Sequence, residues 1–157
     1  MYTNALHQQE QQRPVQQYKI AARKRILIVN HEDDVNFALK LVMEEDGGQV
    51  RDKGNYFQVN YFNDAILALN SFERGSYDLL LIAVAMPKIN GFELAREIRR
   101  IDDNVKICFI IAGEIPSKIR FDASLSGQEQ ERYRDRFIKL PIENKDLIEQ
   151  IDKIIRL

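Results

Sequence analysis

From residue 25 to the end of the 157-residue chain, short apolar runs alternate with helix-spaced apolar stripes. Ile26-Leu27-Ile28-Val29 is β-branched, apolar on both faces and closed by polar residues, which predicts a buried parallel strand. Asp33 or Asp34 is then expected to cap a helix with Phe37, Ala38, Leu41 and Val42 as its apolar positions and Gly47-Gly48 as its end. The polar stretch 47–55 reads as a long loop before a second strand, Tyr56 to Phe62. Asn63 or Asp64 caps a second helix carrying Ile66, Leu67 and Leu69, stopped at Gly75. Asp78 to Val84 is the most apolar strand and so the central one; Met86-Pro87 breaks it, and Gly91 opens a helix with Phe92, Leu94, Ala95 and Ile98 on one side. Val105 to Ile111 is the fourth strand, and Pro116 to Arg134 should hold a fourth helix interrupted by Gly127. Phe137 to Leu140 is a short fifth strand. The last helix carries the stripe Leu147, Ile148, Ile151, Ile154, Ile155. Five strands alternating with five helices predict an α/β fold: a doubly wound, five-stranded parallel sheet of flavodoxin-like order.

Residues 1–24 break the pattern. Six glutamines (Gln8, Gln9, Gln11, Gln12, Gln16, Gln17) and few apolar groups predict a flexible Gln-rich tail ahead of one domain, residues 25–157. The composition is that of an ordinary globular protein, 45% apolar and 30% charged, large enough to need no metal or disulfide. The lone Cys108 lies in an apolar run, where a buried, inert thiol is expected. A net charge of −1 gives no electrostatic case for nucleic acid, no stretch is long and apolar enough for a membrane span, and Met1 to Gln12 has no signal-like apolar core. A cytoplasmic location follows by default. Gly47-Gly48 lacks the Lys-Ser/Thr of a phosphate loop, and no Ser-His-Asp or Cys/His metal spacing occurs, so an enzyme is not expected.

The segment Tyr77 to Leu94, DLLLIAVAMPKINGFEL within it, resembles the signature of response-regulator receiver domains of two-component systems. Met86-Pro87 with Gly91 four residues after the proline carries the likeness; Ile26 to Val29 and Phe137 to Pro141 resemble the family's first and fifth strands. The resemblance runs in order over residues 25–157 and implies the CheY-like (βα)5 fold. It also locates the family's chemistry, and there the sequence departs. The two acidic positions that help hold Mg²⁺ fall at Asn30 and His31, the phospho-accepting aspartate at Ala83, the hydroxyl residue at Ile111 and the lysine at Leu140.

Those departures predict a pseudo-receiver. A methyl group offers no nucleophilic oxygen, an amide and an imidazole replace the hard anionic ligands of Mg²⁺, and Mg²⁺ binding is expected to be lost, leaving no cofactor. A lysine buried beside missing acids would be an uncompensated charge. Leu140 removes it and Ile111 removes a hydroxyl with nothing to bind, so Ala83 does not read as an isolated laboratory substitution. Glu32, Asp33 and Asp34 suit the loop and helix cap rather than a displaced acidic pocket, His31 reads as a hydrogen-bonded structural residue, and Phe137, where the family carries a switch aromatic, reads as core.

The expected function is a stand-alone receiver-like protein of phosphorelay signal transduction acting through phosphorylation-independent protein–protein contacts. Protein partners are implied, a histidine kinase or another regulator, with Glu131, Arg132 and Arg134 in the mixed-charge run 129–136 as the candidate contact residues. The face built by the fourth helix, fifth strand and fifth helix is the candidate homodimer surface. With the last helix reaching Leu157, no attached output domain is expected. The alternative is a small-ligand site in the emptied pocket around Asn30, His31, Ala83 and Ile111.

Overall fold

The structure, a computed structural model, describes residues 23–51, 56–113 and 124–157. Its elements run β1 (Lys24–Val29), α1 (Asp33–Arg51), β2 (Phe57–Phe62), α2 (Ala65–Ser71), β3 (Leu79–Ala83), α3 (Gly91–Ile101), β4 (Lys106–Ala112), α4 (Gly127–Arg132), β5 (Phe137–Leu140) and α5 (Asn144–Arg156). All pairings are parallel and the strand order is β2-β1-β3-β4-β5, the flavodoxin-like order the alternation predicted, with β3 at the centre.

Strand residues alternate between two buried layers. Ile26, Ile28, Leu79, Leu81, Cys108, Ile110 and Ile138 meet Leu39 and Met43 of α1 and the stripe Leu147, Ile148, Ile151, Ile154, Ile155 of α5. Leu27, Val29, Leu80, Ile82, Ile107 and Phe109 meet α2 and α3 and the flanks of α4. Cys108 is fully buried, and burial pushes its thiol up to about 12.

Several boundaries differ from the sequence expectation. Lys24 is not tail: it opens β1, donating its N–H to Tyr56 O at 2.9 Å. The rest of the expected tail, apart from Arg23, lies outside the described residues. Helix α1 does not stop at Gly47-Gly48 but continues to Arg51. A Cβ on Gly47 would stand 2.4 Å from Phe57 Cδ2, so this glycine lets the helix press against β2 instead of ending it. Asp33 and Asp34 lie in the first turn, where they complement the helix dipole, rather than at the cap.

The buried face of α1 is also rotated. Leu39 and Met43 point inward with Asn36, whereas Phe37 and Leu41 are 54% and 39% exposed. Asp64 caps α2 as expected, accepting from Ile66 N at 2.8 Å and Leu67 N at 3.1 Å. Gly127 does not interrupt α4 but begins it, behind a Ser126–Glu129 capping box. Of the expected residues before it, 116–123 lie outside the described ones. Among the described residues no helix is long and apolar enough to cross a membrane.

Candidate functional site

Parallel strands bring their carboxyl ends to one edge, so β1, β3, β4 and β5 deliver Asn30, Ala83, Ile111 and Leu140 there together. Register fixes the neighbours: Val29 faces Ile82, Ala83 faces Ile110, Ile111 faces Lys139 and Ala112 faces Leu140. Ala83 is 4% exposed and presents only a methyl group. Asn30 is buried and held by backbone: its N–H donates to Phe62 O at 3.2 Å and its carbonyl accepts Asn36 Nδ2 at 2.7 Å. Asn36, absent from the sequence reading, is therefore the latch between β1 and α1. A mid-helix Asn on the stripe of Leu39 and Met43 was the available signal. Its Oδ1 has no hydrogen-bond partner among the described residues.

Ile111 and Leu140 leave the edge in opposite directions. Ile111 packs, half-buried, against the layer under α3, and Leu140 against the layer under α1 and α5. Two cavities flank this end of the sheet. One, about 510 Å³, sits between α1 and the β5–α5 connection, lined by Val35, Leu39, Val42, Leu140, Ile142 and Leu147 among others, and touches none of Asn30, His31, Ala83 or Ile111. A smaller one, about 110 Å³, has His31 on its rim with Asn63, Asp64, Met86, Pro87 and Lys88.

Among the described residues His31 has no side-chain hydrogen bond of the structural kind expected of it. Its side chain is 41% exposed and its Nε2 stands 3.8 Å from Glu32 Oε1, beyond hydrogen-bond reach. The loop opposite is shaped by two constraints. A Cβ on Gly91 would meet Ala83 O at 2.4 Å, so only glycine lets α3 begin this close to the end of β3. Lys88 adopts φ 71°, a left-handed conformation rare outside glycine, and its Nζ reaches Asp64 Oδ2 at 3.0 Å. That hydrogen bond, followed by the Leu67 N–H, holds the Asp64 carboxyl below its ordinary 3.8. Among the described residues no three His, Cys, Asp or Glu side chains converge as a metal site.

The charged run along α4 and just after it divides. Glu131 pairs with Arg134 at 3.1 Å in solvent, while Arg132 is tied to Asp103 Oδ1 at 3.1 Å. Glu129 is committed inward: Arg96 of α3 grips it with Nε and Nη2, each 3.0 Å from a carboxylate oxygen. Burial raises the Glu129 pKa, but the Arg96 guanidinium and the Ser126 N–H outweigh it, and the net is below the ordinary 4.5. Phe137 joins an aromatic cluster, stacked on Phe109 at 5.4 Å and edge-on to Phe92 at 6.4 Å, the core role expected of it.

Residues 26–123 match the profile of the response regulator receiver domain. The chain is 27% identical to the response regulator receiver protein CpdR of Brucella abortus over 133 residues, 84% of this chain and 97% of that protein. It is 24% identical to the transcriptional regulatory protein RprY of Bacteroides fragilis, again over 84% of this chain but only 49% of the relative. Among solved structures, a CheY-like receiver domain protein of Methanospirillum hungatei superposes with a TM-score of 0.64 at 19% identity, covering 85% of this chain and 94% of that one. A Chloroflexus aurantiacus response regulator gives 0.64 at 22% identity, covering 86% and 99%. At these identities the superpositions establish the fold.

Proposed function

The chain belongs to the response regulator receiver family of two-component signalling, and from that premise we propose that it signals by protein–protein contact without being phosphorylated on aspartate. The observation that carries the reading is Ala83, a buried methyl group at the end of the central strand where the resemblance places the phospho-acceptor. Acyl phosphate formation needs a carboxylate oxygen there. The donors around it do not fit Mg²⁺ either: Asn30 offers a neutral amide oxygen in place of a carboxylate, His31 offers a nitrogen, and Asp64 is already engaged by the Lys88 ammonium. Ile111 and Leu140, each packed into an apolar layer, fit a scaffold that transmits no phosphoryl signal.

On this reading the protein meets a histidine kinase or another regulator in the cytoplasm, with the exposed Glu131 and Arg134 and the neighbouring Arg132 as contact residues. The full chain, incubated with Mg²⁺ and acetyl phosphate, is expected to gain no acid-labile phosphate. With Mg²⁺ and beryllofluoride, the amide resonances of residues 83, 111 and 140 should stay in place. One equivalent of acid-labile phosphate, or a saturable shift at those amides, ends the proposal. A second reading, small-ligand binding, has one observation in its favour: the cavity against Leu140 is about 510 Å³, within the size range of ligand sites. A thermal-shift screen of small apolar acids and amides tests it, and stabilisation abolished by Leu140→Lys is the expected result.

A further inference from the structure

At the opposite edge of the sheet, four elements place cations around one small depression. Arg99 comes from the last turn of α3, Lys106 opens β4, Arg132 ends α4 and Arg136 immediately precedes β5. With Asn104 and Tyr133 they line a pocket of about 180 Å³ in which no carboxylate takes part. Measured along β4 at about 3.3 Å per residue, this edge lies roughly 16 Å from Ile111, so the pocket is separate from the site above.

Its charges are organised but poorly neutralised. Arg99 is fixed by neutral partners, donating to Tyr133 Oη at 3.3 Å, to the Asp103 carbonyl at 3.2 Å and to the Val105 carbonyl. Its guanidinium also stands 5.9 Å from the Tyr133 ring centroid. Lys106 donates to the Ile155 carbonyl in the last turn of α5. Only Arg132 has a carboxylate, Asp103 at 3.1 Å. Arg136 is half-buried, and its side chain has no hydrogen bond or ion pair among the described residues, its backbone alone being bonded to Tyr133 and Phe109. Burial, then Arg136 and Lys24, push the Lys106 pKa below its ordinary 10.5, against a smaller opposing pull from Asp78.

We infer that this pocket binds a small phosphoryl-type oxyanion, with Arg136 and Lys106 as its principal charged donors. Partly buried cations held apart by neutral carbonyls form a preorganised positive cavity, and an oxyanion is the partner they lack. The guanidinium fork matches phosphate oxygens in pairs, and the small, mainly polar enclosure suits a phosphate or pyrophosphate group rather than a larger apolar ligand.

The test is an amide NMR titration of the full chain with inorganic phosphate, pyrophosphate and phenyl phosphate at constant ionic strength set by chloride. Resonances of residues 104–107 and 132–136 should shift saturably with at least one of the three, while those of residues 30 and 83 stay still. Saturation by inorganic phosphate and pyrophosphate alone identifies a free anion as the ligand, whereas saturation by phenyl phosphate identifies the phosphoryl group of an ester. Arg136→Gln, which removes a side chain with no partner and should fold, is expected to weaken the affinity about tenfold or more. Lys106→Gln, checked for folding by circular dichroism, should do the same. Shifts that never saturate, or an affinity unchanged in both folded variants, overturn the assignment.

Discussion

Restoring a carboxylate at position 83 asks what the side chains around it have become. Ala83 is buried among strand ends whose neighbours are the Asn30 latch, Ile111 and Leu140, none of them a cation. Ala83→Asp should therefore destabilise the fold by about 3 kcal/mol, the order expected of an uncompensated buried charge. On the proposed reading it should still gain no acid-labile phosphate from acetyl phosphate, since Asn30, His31 and Leu140 would supply neither anionic metal ligands nor an ammonium. Denaturant unfolding and intact mass measure the two halves; efficient phosphorylation of the single variant would show that the pocket had kept its chemistry. At this scale much was legible beforehand. Pro87, Gly91 and Pro141 fixed the register at two separate strands, and the family resemblance implied the positions Asn30, Ala83, Ile111 and Leu140, which the parallel strands bring to one end of the sheet. What could not be read was the direction each side chain takes. Ile111 and Leu140 enter different layers, because Leu140 is registered with Ala112, one residue past Ile111, and successive residues of a strand point to opposite faces. Nor did spacing reveal the Lys88–Asp64 pair, which joins two loops 24 residues apart in the chain.

Helix α1 shows why an element can be found correctly and oriented wrongly. Its apolar residues occupy more than one face: Phe37 and Leu41 form one i, i+4 pair, and Leu39 and Met43 another. Periodicity scores both stripes equally, so the choice is made by tertiary contacts the helix does not contain. Asn36, fully buried, donates to Asn30 O, and Gly47 seats against the Phe57 ring; both lie on the Leu39–Met43 side. The rotation has a measurable consequence. Met43→Ala, at a position with no exposure, should cost about 2 to 5 kcal/mol, while Phe37→Ser should change stability by no more than about 0.5 kcal/mol. Reversed magnitudes in denaturant titrations would place the other face inward. Helix α5, by contrast, has one apolar stripe and no competitor, and all five of its predicted positions are buried. The Ser126–Glu129 box at α4 was also written in the sequence, but Gly127 was weighed as a breaker when its place just after the cap made it the first residue of the helix.

The strands of one sheet leave the connecting loops to be fastened by side chains, and carboxylates do much of this across the molecule. Asp64 joins the β2–α2 and β3–α3 connections through Lys88, and Glu129 fastens α4 to α3 through Arg96. Asp102 closes α3, accepting from Gly75 N at 3.0 Å, Asn104 N at 2.9 Å and Val105 N at 3.2 Å, and so ties the α2–β3 turn to the start of β4. Burial raises the Asp102 pKa, but those three N–H groups outweigh it and hold it below the ordinary 3.8. All three carboxyls thus have lower pKa values folded than unfolded. A group of this kind contributes its stability in full above the unfolded value and loses it as pH falls through the folded one. The thermal midpoint should then be nearly level above about pH 5 and fall progressively below about pH 4 as these groups take up protons. Asp102→Asn removes a titrating group while keeping an oxygen acceptor, so it should lower the midpoint near neutrality and flatten the acid limb. Circular dichroism melts of both proteins across that range decide it: parallel acid limbs would mean that Asp102 binds its proton equally in both states and that the turn is held by something other than its charge.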